Sequence, residues 1–122
     1  MKSVFATIDK FAKYDNTLLF FSANEVMNAW NMSFCAPYIK AVTRDMKQYI
    51  KKRGYRTVPV GYSAADIPEI QTLSAEYFNC GAEVAQADFF AFNDYSYCNS
   101  DYITAGWDQK IKNYTDYSRP IL

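Results

Sequence analysis

Histidine is absent from this sequence of 122 residues, and its absence excludes several kinds of chemistry. Neither a Ser-His-Asp nor a Cys-His nucleophile can form within the chain, and no metal site can have imidazole ligands. Carboxylates and tyrosines therefore remain as the candidate general acids and bases. Because Cys35, Cys80 and Cys98 also lack the spacing of metal ligands, we expect no metal and no cofactor.

An excess of charge is absent as well. Lysine and arginine together number 13, as do aspartate and glutamate, so the formal net charge is zero. A chain without a basic excess is not expected to bind nucleic acid or an anionic membrane surface. No run of about 18 apolar residues occurs that could span a bilayer. The amino terminus does not resemble a signal peptide, since Asp9, Lys10 and Lys13 interrupt any apolar core.

Aromatic residues, by contrast, are plentiful, with 11 tyrosines, nine phenylalanines and two tryptophans. Carbohydrate-binding sites use aromatic faces, although we expect most of these rings to pack in the core. The length of the chain suits one domain of ordinary size, residues 1–122.

The most informative segment is an apolar run, Leu18–Ala23, that ends abruptly in Asn24 and Glu25. Such a run predicts a strand buried on both faces, as in a parallel sheet. A carboxylate at the end of a buried strand is costly unless it is paired or used in catalysis. Glutamate beside an amide suits acid/base catalysis on a sugar, in which the amide binds a neighbouring hydroxyl. The alternative interpretation is a structural glutamate that pairs with a lysine or caps the next helix.

Helical spacing of apolar residues is found in four segments of the chain. The second of them has Pro37 at a first-turn position, and Gly54 follows its basic end as a stop signal. Asp66 and Glu69 resemble a capping box for the third. The predicted helices are residues 3–14, residues 37–53, a helix that carries Ile67, Ile70, Leu73 and Phe78, and residues 104–116.

Strands alternate with these helices. After Leu18–Ala23, we predict strands at 57–62 and 87–93 and the start of a fourth at 119–122. Strict alternation predicts an α/β fold with a parallel sheet. A doubly wound domain would normally have a glycine-rich phosphate loop after its first strand, and none is present. Because about three and a half strands cannot close a barrel, we expect residues 1–122 to be a fragment of one larger domain.

Several linked blocks of sequence together are more specific than any single motif. They are Asn16–Leu18, Phe20–Val26, Val42–Asp45, Tyr49–Ile50, Val58–Ser63, Asn79–Gly81, Ala87–Cys98 and Gly106–Lys110. In this order they resemble the fungal β-1,3-glucanosyltransferases, glycoside hydrolase family 72, over essentially the whole chain. The resemblance implies a partial (β/α)8 TIM barrel of about three and a half β/α units with parallel strands.

The resemblance also implies a retaining transglycosylase that cleaves a β-1,3-glucan donor internally and transfers the new end to a glucan acceptor. In it Glu25 would be the general acid/base, and Asn24 would bind the donor sugar at its 2-hydroxyl. Asn93 and Tyr95 would bind the donor as well, and Tyr95 would steady the nucleophile. For Tyr62, which also lies at a predicted strand end, we favour packing. Family members act at the cell surface and cell wall, attached by a GPI anchor.

The sequence departs from the family pattern in several ways. The family nucleophile follows the next strand, beyond Leu122, so this chain lacks it. Disulfide partners of Cys80 and Cys98 would also lie beyond Leu122, whereas Cys35 would be a free, buried thiol. Ala23 replaces the usual glycine before the Asn-Glu pair. A signal peptide and a lipid-anchor signal are absent too.

We therefore expect the isolated chain to be inactive, because it lacks the nucleophile, and poorly folded, because half a barrel leaves apolar edges bare. One alternative is a catalytically inactive, truncated paralogue that at most binds glucan. Another is an unrelated α/β interaction domain in which Glu25 is a structural cap.

Overall fold

A parallel sheet with helices between its strands forms the framework of the chain. The computed structural model describes residues 1–115 and 117–122. Within them the strands are β1 (Phe20–Asn24), β2 (Val60–Ala65) and β3 (Phe90–Asn93). The helices are α1 (Lys2–Phe11), α2 (Ala36–Lys52), α3 (Pro68–Phe78) and α4 (Trp107–Lys112), with short 3₁₀ helices at Trp30–Cys35 and Glu83–Ala85.

The strands lie side by side in chain order, β1-β2-β3, and both neighbouring pairs are parallel. Parallel neighbours joined through helices are the repeating unit of a β/α barrel. Beyond β3, Ile121 forms a parallel bridge with Phe90, and the Leu122 N–H donates to the Phe90 carbonyl at 2.9 Å. The predicted start of a fourth strand at 119–122 is therefore confirmed.

Helix α2 shows how the local sequence sets an element's ends. Pro37 lies in the first turn, where its missing N–H costs nothing, and Lys51 and Lys52 lie in the last turn, beside the negative end of the helix dipole. Gly54 follows with φ +68°, a left-handed conformation that glycine adopts without strain. The helix buries one stripe of side chains, namely Ala36, Ile39, Thr43, Met46 and Ile50.

The core lies between the sheet and its helices. Alternate residues of β2 face opposite sides of the sheet, and Val60 and Tyr62, which face the helices, are fully buried. Tyr62 belongs to a cluster with residues of α2 and α3, including Ile39 and Phe78. Val60 belongs to a second cluster, in which Ile8 connects α1 to the rest. Because these side chains are buried against the helices, the alternate residues of each strand must face the other side of the sheet.

The face turned away from the helices, called here the inner face, holds Gly61, Phe21 and Phe89. The Phe89 ring lies against Gly61, and its edge meets Phe21 with ring centroids 5.5 Å apart. A Cβ at position 61 would stand 2.5 Å from the Phe89 carbonyl oxygen and 2.6 Å from the ring atom Cζ. This close approach of backbone and ring is why position 61 requires glycine.

Gly61→Ala is expected to destabilise the protein by about 1–3 kcal/mol, because the added carbon would meet backbone as well as ring. The midpoint of urea unfolding measures the change. A double variant that also carries Phe89→Leu would relieve only the ring contact, so we expect it to recover part of the loss at most. An unchanged midpoint for Gly61→Ala would show that β2 and Phe89 separate without cost.

Two strand predictions need correction. The prediction that the first strand is buried on both faces is wrong, since Phe21 is 47% exposed and Asn24 is exposed as well. Among the described residues the helices pack on the other face of the sheet, so few side chains cover the inner face of β1. The second strand begins at Val60 rather than at residue 57, because Pro59 has no N–H to donate to a ladder.

The third strand begins at Phe90 rather than at residue 87. Asp88 precedes the strand. Its N–H donates to the Val60 carbonyl at 2.8 Å, but the Val60 N–H donates to the Asp88 carboxylate at 2.9 Å rather than to a backbone carbonyl. The last helix is shorter than predicted, at Trp107–Lys112, and residue 116 of the predicted range lies outside the described residues.

The predicted capping box of Asp66 and Glu69 is wrong. Helix α3 begins at Pro68 without a side-chain cap. The Asp66 carboxylate instead pairs with Lys110 at 3.2 Å, so a residue that resembled a helix cap connects the loop after β2 to helix α4. Local sequence spacing was misleading here because a distant lysine competes for the carboxylate.

Candidate active site

The carboxyl ends of the three strands bring together polar side chains that are far apart in the sequence. Asn24 ends β1 and Glu25 follows it, Ser63 lies in β2, and Asn93 ends β3. In a β/α barrel this edge of the sheet holds the catalytic residues. Three of the four predicted site residues, Asn24, Glu25 and Asn93, are therefore neighbours in space.

Asn93 is the centre of this group. Its Nδ2 donates one hydrogen bond to Glu25 Oε1 at 2.6 Å and another to Asn24 Oδ1 at 3.1 Å. A side-chain amide nitrogen has two hydrogens, so both bonds can form at once. The bonds join residues that are 68 and 69 positions apart, and they depend on the tertiary fold rather than on local sequence.

Ser63 orients the Asn93 amide and was not among the predicted site residues. Its Oγ donates to Asn93 Oδ1 at 3.0 Å, and the residue is 3% exposed. Because Ser63 engages the amide oxygen, the amide nitrogen is directed to Glu25 and Asn24. A hydroxyl within the otherwise apolar run of β2 is the sequence signal that could have identified it, since a buried polar group needs a partner.

Glu25 has a backbone conformation that is uncommon for a residue other than glycine. Its φ is +49°, in the left-handed region. The Glu25 N–H donates to the Ser63 carbonyl at 2.8 Å, and two residues later the Met27 N–H donates to the Tyr62 hydroxyl at 3.1 Å. These bonds hold a turn that costs about 1–2 kcal/mol of strain. Strain of this kind is typical of functional sites, where the side-chain direction matters more than local stability.

Tyr62 packs in the core, as the sequence indicated. It is fully buried, and its ring centroid lies 4.7 Å from that of Phe78. Burial is the main cause that raises the pKa of the Tyr62 phenol, so the hydroxyl stays protonated in the neutral range. Its contribution to the site is indirect, because it holds the backbone of Met27 just after Glu25.

Tyr95, the fourth predicted site residue, lies in the loop after β3, two positions beyond Asn93, and is 70% exposed. Within residues 1–115 and 117–122, the partners of Asn24, Glu25 and Asn93 do not include its hydroxyl. The structure therefore places Tyr95 at the same end of the sheet as Glu25 without a hydrogen bond between them.

An ion pair holds the loop that carries Tyr95. Lys110 of α4 pairs with Asp94, whose side chain is 5% exposed, and with Asp66 at 3.2 Å. The Ser96 N–H also donates to the Asp94 carboxylate at 2.7 Å. Burial by itself would raise the pKa of Asp94, but the hydrogen bonds from Lys110 and Ser96 outweigh it and hold that pKa below its usual value.

Acid is therefore expected to loosen the loop after β3. A carboxylate with a lowered pKa contributes stability above its unfolded-state pKa, about 3.9 for aspartate, and loses it as the pH falls through the lower folded-state value. We expect hydrogen-exchange protection factors of residues 95–98 to fall below about pH 4, and to be low at every pH in Asp94→Asn. Equal protection in the two proteins across that range would contradict this role of Asp94.

The described residues contain no group of three or more His, Cys, Asp or Glu side chains that could hold a metal ion. In the same part of the chain, no helix is both long enough and apolar enough to cross a membrane. Cys80 and Cys98 are exposed free thiols, and Cys35, predicted to be a free, buried thiol, is free and partly buried against the core cluster.

The chemistry available to Asn24, Glu25 and Asn93 follows from their side chains. A carboxyl group can give or take a proton, and side-chain amides can bind sugar hydroxyls as donors and acceptors.

The model of the glucanosyltransferase family, glycoside hydrolase family 72, matches residues 1–122. The chain belongs to this family. The resemblance found in the sequence blocks is thereby confirmed.

Curated members of the glucanosyltransferase family are similar along the whole chain. It is 57% identical to 1,3-beta-glucanosyltransferase gel1 of Aspergillus fumigatus over 123 residues, and 56% identical to 1,3-beta-glucanosyltransferase GAS5 of Saccharomyces cerevisiae over 124 residues. Both alignments cover 100% of this chain but only 27% and 26% of the relatives. The chain thus spans about a quarter of the length of the curated relatives it matches.

Solved glucanosyltransferase structures confirm the fold. Saccharomyces cerevisiae Gas2p in complex with laminaripentaose matches with a TM-score of 0.88 at 36% identity, over 96% of this chain and 27% of that chain. Gas2p in complex with laminaritriose and laminaritetraose matches with the same score, identity and coverage. The predicted architecture, a partial TIM barrel with parallel strands, is therefore correct for this member of the glucanosyltransferase family.

Proposed function

We propose that the protein to which this chain belongs is a retaining β-1,3-glucanosyltransferase. It would cleave a β-1,3-glucan donor internally and transfer the new end to a second glucan. Family membership and the relatives' printed activity support the reaction class. The observation that carries the proposal to this chain is the Glu25 carboxylate at the strand ends, bonded at 2.6 Å to the Asn93 amide.

Glu25 is proposed as the general acid/base. It would protonate the departing sugar oxygen and then take a proton from the hydroxyl of the acceptor glucan. A retaining mechanism also needs a nucleophilic carboxylate about 5 Å away. The side-chain partner of Glu25 among the described residues is an amide and not a carboxylate. We therefore propose the acid/base role for this chain, and we expect the nucleophilic carboxylate to come from another part of the whole protein.

Asn24, Asn93 and Tyr95 are proposed to bind the donor sugar. Because Asn24 Oδ1 accepts from Asn93, its Nδ2 is directed to another acceptor, and a 2-hydroxyl of the donor suits it. Hydrogen bonds to that hydroxyl strengthen in the transition state of glycoside cleavage. Tyr95 is 70% exposed at the same end of the sheet, where its ring could lie against a sugar.

We propose that this activity is located at the cell wall or cell surface. The matched relatives are fungal 1,3-beta-glucanosyltransferases, which supports a surface location for this protein as well. Attachment through a GPI anchor is the finer part of the proposal, and it follows from the family resemblance alone.

The experiment incubates the protein expressed from its own gene with reduced β-1,3-gluco-oligosaccharides of increasing length and separates the products by size. Products longer than the donor show transfer and support the proposal. Only shorter products would mean hydrolysis, and transfer would then be excluded. No products, with retained binding of the oligosaccharides, would favour the alternative of an inactive paralogue that binds glucan.

A further inference from the structure

Strand β1 contains one residue more than β2 over the same length of sheet. The Phe20 N–H donates to the Pro59 carbonyl, and the Glu25 N–H donates to the Ser63 carbonyl. Between these two bonds β1 advances five residues while β2 advances four. The register shifts between Phe21 and Ala23, which places a β-bulge at position 22.

The bulge decides which face of the sheet Asn24 occupies. Side chains alternate along a strand, so a residue three positions after the inward-facing Phe21 would normally face the helices. With the extra residue, Asn24 pairs with Ser63 instead and lies on the same face, within 3.1 Å of Asn93. Ala23 takes the outward position and packs against the core cluster. Without the bulge, the predicted sugar-binding amide would be buried against helix α2.

A short chain of hydroxyl groups holds the bulge. Ser22 Oγ donates to the Gly61 carbonyl of β2 at 3.0 Å. Thr43 Oγ1, on helix α2, donates to Ser22 Oγ at 2.9 Å and also lies 3.1 Å from the Ile39 carbonyl. Thr43 is 1% exposed, so its hydroxyl has no access to water as a substitute partner. A buried hydroxyl that serves only packing would be replaced by valine at little cost, whereas this one makes a specific bond to the bulged residue.

We propose that Thr43 is a positioning residue of the active site, which acts through Ser22 to keep the bulge and so keeps Asn24 and Glu25 on the inner face. This inference rests on the proposed function for its kinetic consequence. Thr43 touches no substrate in this role, and its effect reaches the site through the backbone of β1. When the Thr43 hydroxyl is removed, we therefore expect the contact of Asn24 with the donor sugar in the transition state to weaken.

The test compares Thr43→Val, which keeps the shape and removes the hydroxyl, with Thr43→Ser, which keeps the hydroxyl. We expect kcat for glucan transfer to fall about 10- to 100-fold in Thr43→Val with KM little changed, and to recover in Thr43→Ser. Thr7→Val is the matched control, because Thr7 makes the same helical bond to a carbonyl four residues earlier, that of Ser3, on the exposed side of α1. It should leave kcat unchanged.

A second readout separates the positioning role from the reaction itself. Protection of the Glu25 amide against hydrogen exchange reports its bond to the Ser63 carbonyl, and it should fall in Thr43→Val and in Ser22→Ala but not in Thr7→Val. If the wild-type protein transfers no glucan, the proposed function fails and exchange alone decides the role of Thr43. The inference would be overturned if Thr43→Val had the kcat and the Glu25 amide protection of the wild-type protein. It would also be overturned if Thr43→Ser restored neither kcat nor that protection. If Thr43→Val does not fold, Ser22→Ala decides by the same two measurements.

Discussion

Glu25→Gln is expected to lower glucan transfer by about 10²–10⁴-fold, the usual contribution of a positioned general acid/base. Glutamine has the same shape as glutamate, and its amide oxygen can still accept the hydrogen bond from Asn93 Nδ2. The fold should therefore persist while the transferable proton is lost. Transfer rates with a β-1,3-gluco-oligosaccharide, together with the thermal unfolding midpoint of each protein, measure the two effects separately.

The leaving group provides the sharper test of Glu25. A donor whose leaving group needs no protonation, such as a glycosyl fluoride, should form the glycosyl-enzyme in Glu25→Gln at a rate much closer to wild type. Glu76→Gln makes the same chemical change at an exposed position on helix α3 and should alter neither donor's rate. Unchanged transfer in Glu25→Gln would remove this residue from the acid/base role.

Asn93→Ala is expected to lower kcat/KM for glucan transfer by about 10- to 100-fold, the second largest change that we predict. A hydrogen bond to a charged group contributes about 1.5–3 kcal/mol, and Asn93 makes its bond to Glu25 at 2.6 Å. The substitution removes the donor to Glu25 and the donor to Asn24 together, and it leaves the buried Ser63 hydroxyl without its acceptor. Steady-state kinetics with the donor oligosaccharide measure the change.

Asn16→Ala serves as the control for Asn93→Ala, because Asn16 is exposed in the loop before β1, at the other end of that strand. It should leave kcat/KM unchanged. Ser63→Ala should reproduce part of the Asn93→Ala loss, since it frees the amide to turn and present oxygen to the Glu25 carboxylate. Wild-type kinetics in both Asn93→Ala and Ser63→Ala would mean that Glu25 does not depend on its bonded neighbours.

Much of the fold could be predicted because its causes are local. Proline at the start of α2, glycine after its end and the apolar stripe between them are visible in the sequence and act on neighbouring residues. Strand boundaries were less accurate, because they depend on which N–H and carbonyl groups find partners on another strand. Asp88 illustrates the limit, since its carboxylate takes the place of a ladder carbonyl for Val60 just before β3 begins.

Some residues of the candidate site could likewise be predicted from the sequence, and others could not. Asn24 and Glu25 could be selected from the sequence because they follow an apolar run, and Asn93, which ends another such run, was selected through the family resemblance. The Ser22 bulge could not be predicted, because its effect exists only when β1, β2 and α2 are assembled. The Ser63 hydroxyl in the apolar run of β2 signals that a partner is needed, but the sequence does not show that the partner is Asn93. Strict alternation along β1 would have assigned Asn24 to the wrong face, and only the extra residue corrects it.

The contact of Phe89 with Gly61 also shapes how a polymer can approach. The ring closes the inner side of the sheet two positions before Ser63, and Phe89 itself is only 3% exposed. The polar side chains at the strand ends therefore stand above an apolar layer that begins at Gly61 and Phe89. Under the proposed function, we expect a glucan to approach Glu25 from the carboxyl ends of the strands and not from the opposite end of the sheet.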